Sequence, residues 1–122
     1  MPPERPDSAG SAYFVPSATG GGPAVAVLHS WWGLTDDVRA RCDDLADRGF
    51  VVIAPDLQHG RVAENEADAE RMLAEMNPDE TAGLIISSVA AVRTAADDPA
   101  APVGVVGFFS GASWALWLAT RQ

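Results

Sequence analysis

Residues 102–111 have the sequence PVGVVGFFSG, a valine-rich run that leads into two glycines four positions apart. A run of this kind is typical of a strand buried on both faces of a parallel sheet. The spacing Gly107-x-Phe109-x-Gly111 is typical of a sharp strand-to-helix turn, because small residues on both sides of its centre let the strand and helix approach closely. The stretch therefore predicts a parallel strand that turns abruptly into the last helix.

The sequence on the amino-terminal side of this stretch repeats the strand pattern. Residues 23–28 and 50–54 are continuous aliphatic runs that predict two further parallel strands, and residues 12–15 predict a short edge strand. Helical patterns fill the intervals, and the predicted helices span 35–48, 64–76, 78–96 and 110–121. Alternation of strands and helices predicts an α/β fold, with a parallel sheet flanked by helices.

Two of these helices carry detailed expectations. Asn77 is the predicted N-cap of the third helix, with Glu80 reaching back to complete a capping box. The second helix is predicted to be an acidic surface helix that hides Ala67, Met72 and Met76.

Composition excludes several classes of function. The 122 residues suit one domain, and the net charge of −9 argues against nucleic acid and anionic membranes as partners. All 8 basic residues are arginine, which excludes lysine Schiff-base chemistry and a phosphate-loop lysine. A single cysteine, Cys42, allows no internal disulfide and predicts a cytoplasmic protein, and no signal peptide is expected at the start.

No cofactor and no metal are predicted. The glycines lack the spacing of a dinucleotide-binding loop. The candidate metal ligands, His29, His59, Asp56 and Cys42, form no close ligand pair.

Three loops are expected to meet at one edge of the sheet, where the parallel strands end: residues 29–33, 55–59 and 107–111. The first is His-Ser-Trp-Trp-Gly, the second Pro-Asp-Leu-Gln-His, and the third Gly-Phe-Phe-Ser-Gly. Together with the helix before the second strand, residues 43–49, they resemble the dienelactone hydrolase family of α/β-hydrolases, in order from about residue 23 to residue 122. The resemblance covers the amino-terminal half of that family's fold. It implies a partial α/β-hydrolase-like sheet and hydrolysis of a lactone or small carboxylic ester.

The resemblance also assigns site residues. The family's nucleophile, usually Cys and sometimes Ser, falls on Phe109, and the backbone amides of its oxyanion hole fall on Trp31 and Ser110. His29, Ser30 and Trp32 fall in the substrate-binding loop, where Ser30 replaces a Glu typical of the family. Asp56 marks a structural corner and does not match the family's catalytic aspartate.

Catalysis is in doubt because phenylalanine cannot attack a carbonyl, and because the family's aspartate and histidine lie beyond the last helix. The first hypothesis is accordingly a truncated, catalytically impaired domain whose ligand, if it is active, is a small ester or lactone. A second is an active serine esterase that uses Ser110 with His29 or His59. A third is a non-catalytic binding or pairing module.

Domain organisation and association follow from the same pattern. Residues 1–22 are expected to form a flexible or edge-strand segment, and residues 23–122 the partial α/β domain. The strand at 103–106 is expected to lie at an open edge of the sheet, where it favours self-association. The substrate and the oligomeric state are not determined by the sequence.

Overall fold

The computed structural model describes residues 12–108 and 110–120. This part of the chain contains four strands and four helices. In chain order they are β1 (Ala12–Val15), β2 (Ala24–Leu28), α1 (Asp36–Asp47), β3 (Val51–Pro55), α2 (Glu66–Ala74), α3 (Pro78–Thr94), β4 (Gly104–Gly107) and α4 (Ser110–Ala119). None of the helices in these ranges is both long and apolar enough to cross a membrane.

The strands form one sheet in the order β1-β3-β2-β4. β2 lies at its centre, and Ala26 is paired in parallel with Ile53 of β3 on one side and with Val105 of β4 on the other. The predicted order and direction of these three strands are confirmed. The predicted edge strand at 12–15 is present, but it runs antiparallel to β3, so the described sheet is mixed.

Alternate residues of the central strand face two different core layers. Ala24, Ala26 and Leu28 pack in the layer shared with α3 and α4, whereas Val25 and Val27 pack in the layer shared with α1. All five are buried, because helices cover both faces of β2. This explains why the strand reads as a continuous apolar run instead of an alternating one.

Side-chain caps begin α1, α2 and α3. The Asn77 side chain accepts hydrogen bonds from the amides of Asp79 at 3.0 Å and Glu80 at 3.1 Å, which confirms the predicted N-cap. The prediction that Glu80 completes a capping box is wrong: no hydrogen bond between the Glu80 side chain and the Asn77 amide is found among the described residues. The Glu80 carboxylate lies 3.4 Å from Nε2 of His59 instead, and this contact joins α3 to the loop after β3.

The predicted boundaries and burial of α2 need correction. The helix begins at Glu66, because Asn65 caps it by accepting a hydrogen bond from the Asp68 amide at 2.8 Å. Ala69 and Met72 are its buried residues, whereas Ala67 is exposed and Met76 is only partly buried. Met76 follows the end of the helix, and this leaves it beside the carboxyl edge of the sheet.

Candidate functional site

A sharp turn joins β4 to α4. Only residues 108 and 109 separate the end of the strand from Ser110, the first residue of the helix. A Cβ on Gly107 would lie 2.4 Å from the carbonyl oxygen of Gly111, and a Cβ on Gly111 would lie 2.2 Å from the carbonyl oxygen of Leu28. Neither distance is sterically possible, so both glycines are needed for the turn to pack against the end of β2. Phe109, at the centre of the motif, lies outside the described residues.

His29 links two of the three loops. Its Nε2 accepts a hydrogen bond from the Leu57 amide at 2.8 Å, and its Nδ1 lies 2.7 Å from the Ser30 carbonyl oxygen. Since Nε2 accepts, the proton of the neutral ring is on Nδ1, which donates to that carbonyl. Burial lowers the pKa of His29, although the Ser30 carbonyl and the Asp56 carboxylate act in the opposite direction. His29 is therefore a neutral loop-shaping residue with both nitrogens engaged.

The tryptophan loop is folded around Ser30. The hydroxyl of Ser30 accepts a hydrogen bond from the Trp32 amide at 3.3 Å, and its carbonyl accepts one from the Gly33 amide at 3.1 Å. No acceptor for the amide of Trp31 is found among the described residues, and the same holds for the amide of Ser110 at the start of α4. Among the described residues, the two donors assigned from the resemblance therefore have free hydrogen-bonding capacity.

Asp56 organises the loop after β3. One carboxylate oxygen accepts from the Gln58 amide at 3.1 Å, and the other accepts from the Gly60 amide at 2.9 Å. The side chain is 8% exposed. These contacts place Asp56 at a structural corner, as the sequence analysis expected.

A cavity of about 360 Å³ lies at this edge of the sheet. It is lined by the tryptophan loop, the residue after the Asp56 corner, the end of α2 and the first turn of α4. The lining residues are His29, Ser30, Trp31, Leu57, Leu73, Met76, Ser110, Ser113 and Trp114.

Most of the predicted site residues come together at this cavity. His29, Ser30, Trp31 and Ser110 line it. Trp32 is absent from the lining, and its ring contacts that of Trp31 edge-on with centroids 6.3 Å apart.

The histidines required by the esterase hypothesis have other partners. Both ring nitrogens of His29 are engaged within the loops, and His59 lies beside Glu80 with a positive φ of 55°. Neither contacts Ser110 through a hydrogen bond in the described structure. Residues 12–108 and 110–120 also contain no group of three His, Cys, Asp or Glu side chains that could hold a metal ion.

Five of the nine lining residues were not among the predicted site residues: Leu57, Leu73, Met76, Ser113 and Trp114. Leu73 and Met76 belong to the segment that was predicted to be an acidic surface helix, whereas Trp114 of α4 lines the cavity and also packs against the core layer shared with α3. Leu73 is 39% exposed, and a single exposed leucine on a surface helix is ordinary, so the sequence carries no signal that would have identified it. A further residue, Gln58, is 2% exposed, and its Nε2 has no hydrogen-bond partner among the described residues.

The comparisons with known proteins agree with this architecture. The model of the dienelactone hydrolase family matches residues 11–122. The chain belongs to the dienelactone hydrolase family. The resemblance read from the loop sequences is thereby confirmed.

The chain is shorter than the relatives to which it is similar. Over 106 residues it is 38% identical to a protein of Aquifex aeolicus (strain VF5) named "Putative carboxymethylenebutenolidase", covering 82% of this chain and 46% of that protein. It is 31% identical to Protein usf of Aquifex pyrophilus, covering 88% of this chain and 49% of the relative. A solved structure named m3DLH superposes with a TM-score of 0.67 at 25% identity, covering 84% of this chain and 44% of that one. The chain thus spans about half the length of the curated relatives it matches.

Proposed function

We propose that this chain forms the carbonyl-binding half of a dienelactone-hydrolase-type site for a small carboxylic ester or lactone, and that its hydrolytic chemistry is impaired. One observation carries the proposal. Trp31 and Ser110, whose backbone amides have no acceptor among the described residues, line the same cavity. Ser110 lies at the sharp turn that requires glycine at positions 107 and 111.

The two amides suit a carbonyl oxygen that gains negative charge. Backbone N–H groups in a cleft stabilise such an oxygen without reorganising, and Ser110 adds the positive end of the α4 dipole. His29 contributes indirectly, because its contacts to Leu57 and Ser30 hold the tryptophan loop against the Asp56 corner. It is a positioning residue.

The hydrolytic chemistry is impaired because of the residue at the centre of the strand-to-helix turn. Phe109 has no nucleophilic atom, so an ester bound at the amides would meet no attacking group from this position. An oxyanion site and binding alone accelerate hydrolysis roughly 10³–10⁴-fold over water. The expected reaction of the chain is therefore a slow hydrolysis by water, without an acyl-enzyme.

Two measurements test the proposal. Addition of a neutral ester should shift the backbone amide resonances of Trp31 and Ser110 in a nitrogen-proton correlation spectrum, whereas the amide of Gly83, on the exposed side of α3, should not move. A fluorophosphonate probe should leave the chain unlabelled, and an activated ester should give no burst.

The esterase hypothesis has a distinct signature in the same assay. Stoichiometric labelling that is lost in Ser110→Ala but retained in Ser113→Ala would assign the nucleophile to Ser110 and overturn the impairment. Both serines line the cavity, so the pair of variants separates a reacting hydroxyl from a neighbouring one.

A second candidate function is pairing with another copy of the chain through β4. Among the described residues β2 is the only strand that pairs with β4, and a groove of about 550 Å³ runs between β4 and α4. Its described lining residues are glycine or carry apolar side chains, and they include Leu116, which is 72% exposed. An exposed strand edge beside such a surface favours association.

Sedimentation distinguishes this candidate. A concentration-dependent dimer at micromolar protein that is abolished in Leu116→Asp, but not in Ile86→Asp on exposed α3, would support pairing through the groove. A monodisperse monomer over the same range would exclude it.

A further inference from the structure

Trp31 and Ser110 line a cavity whose described lining residues include no Asp, Glu, Lys or Arg. Of its described lining residues, five are apolar or aromatic, three are serines, and the remaining one is His29. Burial lowers the pKa of His29, so its ring is neutral near pH 7. A ligand in this cavity therefore meets hydroxyls, amides and apolar surface, but no cation from these residues.

The arginines nearest in sequence to the α2 wall are already paired. Arg61 donates to the Glu75 carboxylate at 3.0 Å, and Arg71 pairs with Asp68. The fixed charge beside the cavity is negative, because the buried Asp56 carboxylate directly precedes the lining residue Leu57 and accepts hydrogen bonds from the neutral amides of Gln58 and Gly60. The net charge of −9 adds a negative field over the whole chain.

These observations bear on the acyl part of the ligand. A carboxylate moved from water into an apolar site without a paired cation loses its hydration, and this penalty is far larger than that of a neutral polar group. The free amides of Trp31 and Ser110 are suited to one carbonyl oxygen and leave a second anionic group uncompensated. Trp31, Leu57 and Trp114 offer apolar and aromatic surface to the rest of the molecule.

We infer that the cavity selects esters whose acyl group is uncharged and apolar, of about the size of one aromatic ring, and rejects those that carry a carboxylate. The inference rests on the proposed function, since it concerns the ligand of the same carbonyl-binding site. A volume of about 360 Å³ suits one such group.

Two ligands of nearly identical shape test the charge selectivity. Phenylacetamide and phenylacetate differ in one group, and their binding to the whole chain can be followed by calorimetry and by tryptophan fluorescence, to which the lining residues Trp31 and Trp114 contribute. Near pH 7 the amide should bind at least about tenfold more tightly than the carboxylate. Equal or tighter binding of phenylacetate, or no binding of either ligand, would overturn the inference.

A measurement at high salt distinguishes selectivity that arises in the cavity from selectivity that arises from the net charge of the chain. Repulsion by distant surface charges is screened at high ionic strength, whereas the desolvation of a carboxylate in the cavity is not. The preference for the amide should therefore persist in high salt. Its disappearance would assign the selectivity to the net charge and overturn the inference.

A charge placed at the rim gives a matched pair of variants. Leu73→Arg adds a cation to an exposed lining position, and Ile86→Arg adds the same charge at an exposed position of α3 that does not line the cavity. Leu73→Arg should strengthen phenylacetate binding at least about fivefold relative to Ile86→Arg, through the new ion pair. An equal effect of both variants would contradict a local cause.

Failure of the inference is distinguishable from failure of the proposed function. If phenylacetate binds as well as the amide while the Trp31 and Ser110 resonances move, the carbonyl site stands and the selectivity is wrong. If the amide binds selectively without moving those resonances, the selectivity stands and the carbonyl site is wrong.

Discussion

The Leu57 amide donates a hydrogen bond to Nε2 of His29 at 2.8 Å, across two loops that follow neighbouring strands. The contact exists only while His29 is neutral, because a protonated Nε2 cannot accept. His29 is 2% exposed, so protonation would also place a charge where water cannot solvate it. The geometry of the tryptophan loop is in this way coupled to pH.

The first prediction concerns stability at mildly acidic pH. Burial lowers the pKa of His29 in the folded chain below its usual 6.5, so the unfolded chain binds more protons as the pH falls through that value. The free energy of unfolding should therefore decrease between about pH 7 and pH 5, by at most about 1.4 kcal/mol per pH unit for this group. Urea denaturation measures the slope.

Matched glutamine substitutions identify the group responsible. His29→Gln should remove the slope, because the glutamine amide does not titrate, whereas its side-chain oxygen can still accept from the Leu57 amide. His59→Gln should retain the slope. A slope that survives His29→Gln would assign the effect to other groups.

The second prediction concerns the strand-to-helix turn. In Gly111→Ala the new Cβ would lie 2.2 Å from the Leu28 carbonyl oxygen, so strand and helix must separate, and we expect a loss of more than about 3 kcal/mol. Gly83→Ala is the control, because nothing lies within 4 Å of its Cβ on α3. Gly83→Ala should stabilise the chain by about 0.5–1 kcal/mol. Thermal melts of the two variants that shift in the same direction would contradict the close packing.

The parallel part of the sheet was predictable because a strand that is buried on both faces has a continuous apolar sequence. The runs at 23–28 and 50–54 are apolar throughout, and the helices that cover them have clear caps, such as Asn77. The direction of β1 was not predictable. Its four residues carry no signal for pairing, and the antiparallel register of Tyr13 with Ala54 depends on tertiary contacts.

The candidate site was predictable in part, for a similar reason. Loop sequences at the strand ends identified His29, Trp31 and Ser110, whereas the α2 wall of the cavity depends on where that helix ends in space. Leu73 and Met76 reach the cavity through packing between elements distant in sequence, which periodicity does not encode. The role of Phe109 stays a prediction.

The third prediction uses the single tyrosine. The Tyr13 hydroxyl donates to the Asp43 carboxylate at 2.6 Å, and this hydrogen bond, with smaller effects of burial and charge, raises the Tyr13 pKa to about 12. In Asp43→Asn the acceptor is neutral, and the tyrosinate absorbance should titrate nearer to about 10. Asp47→Asn, which removes the same charge from α1, should leave the Tyr13 titration high. A normal pKa in the unaltered chain would show that the contact between β1 and α1 is not formed.

The fourth prediction concerns the thiol of Cys42, which is fully buried in the layer between α1 and the sheet. Burial raises its pKa from 9.0 to about 12, so the reactive thiolate is scarce as long as the chain is folded. Near pH 8 an alkylating reagent should therefore react about 10³-fold more slowly than with a free thiol, and denaturant should restore the normal rate.

The positive control is Cys42→Ala combined with Ala40→Cys, which moves the thiol to an exposed position on the same helix and should react rapidly. Because labelling of Cys42 requires α1 to leave the sheet, its rate in dilute denaturant also reports how often this layer opens. Equal rates for the two thiols in the absence of denaturant would show that α1 does not protect Cys42, and would contradict the packing of this layer.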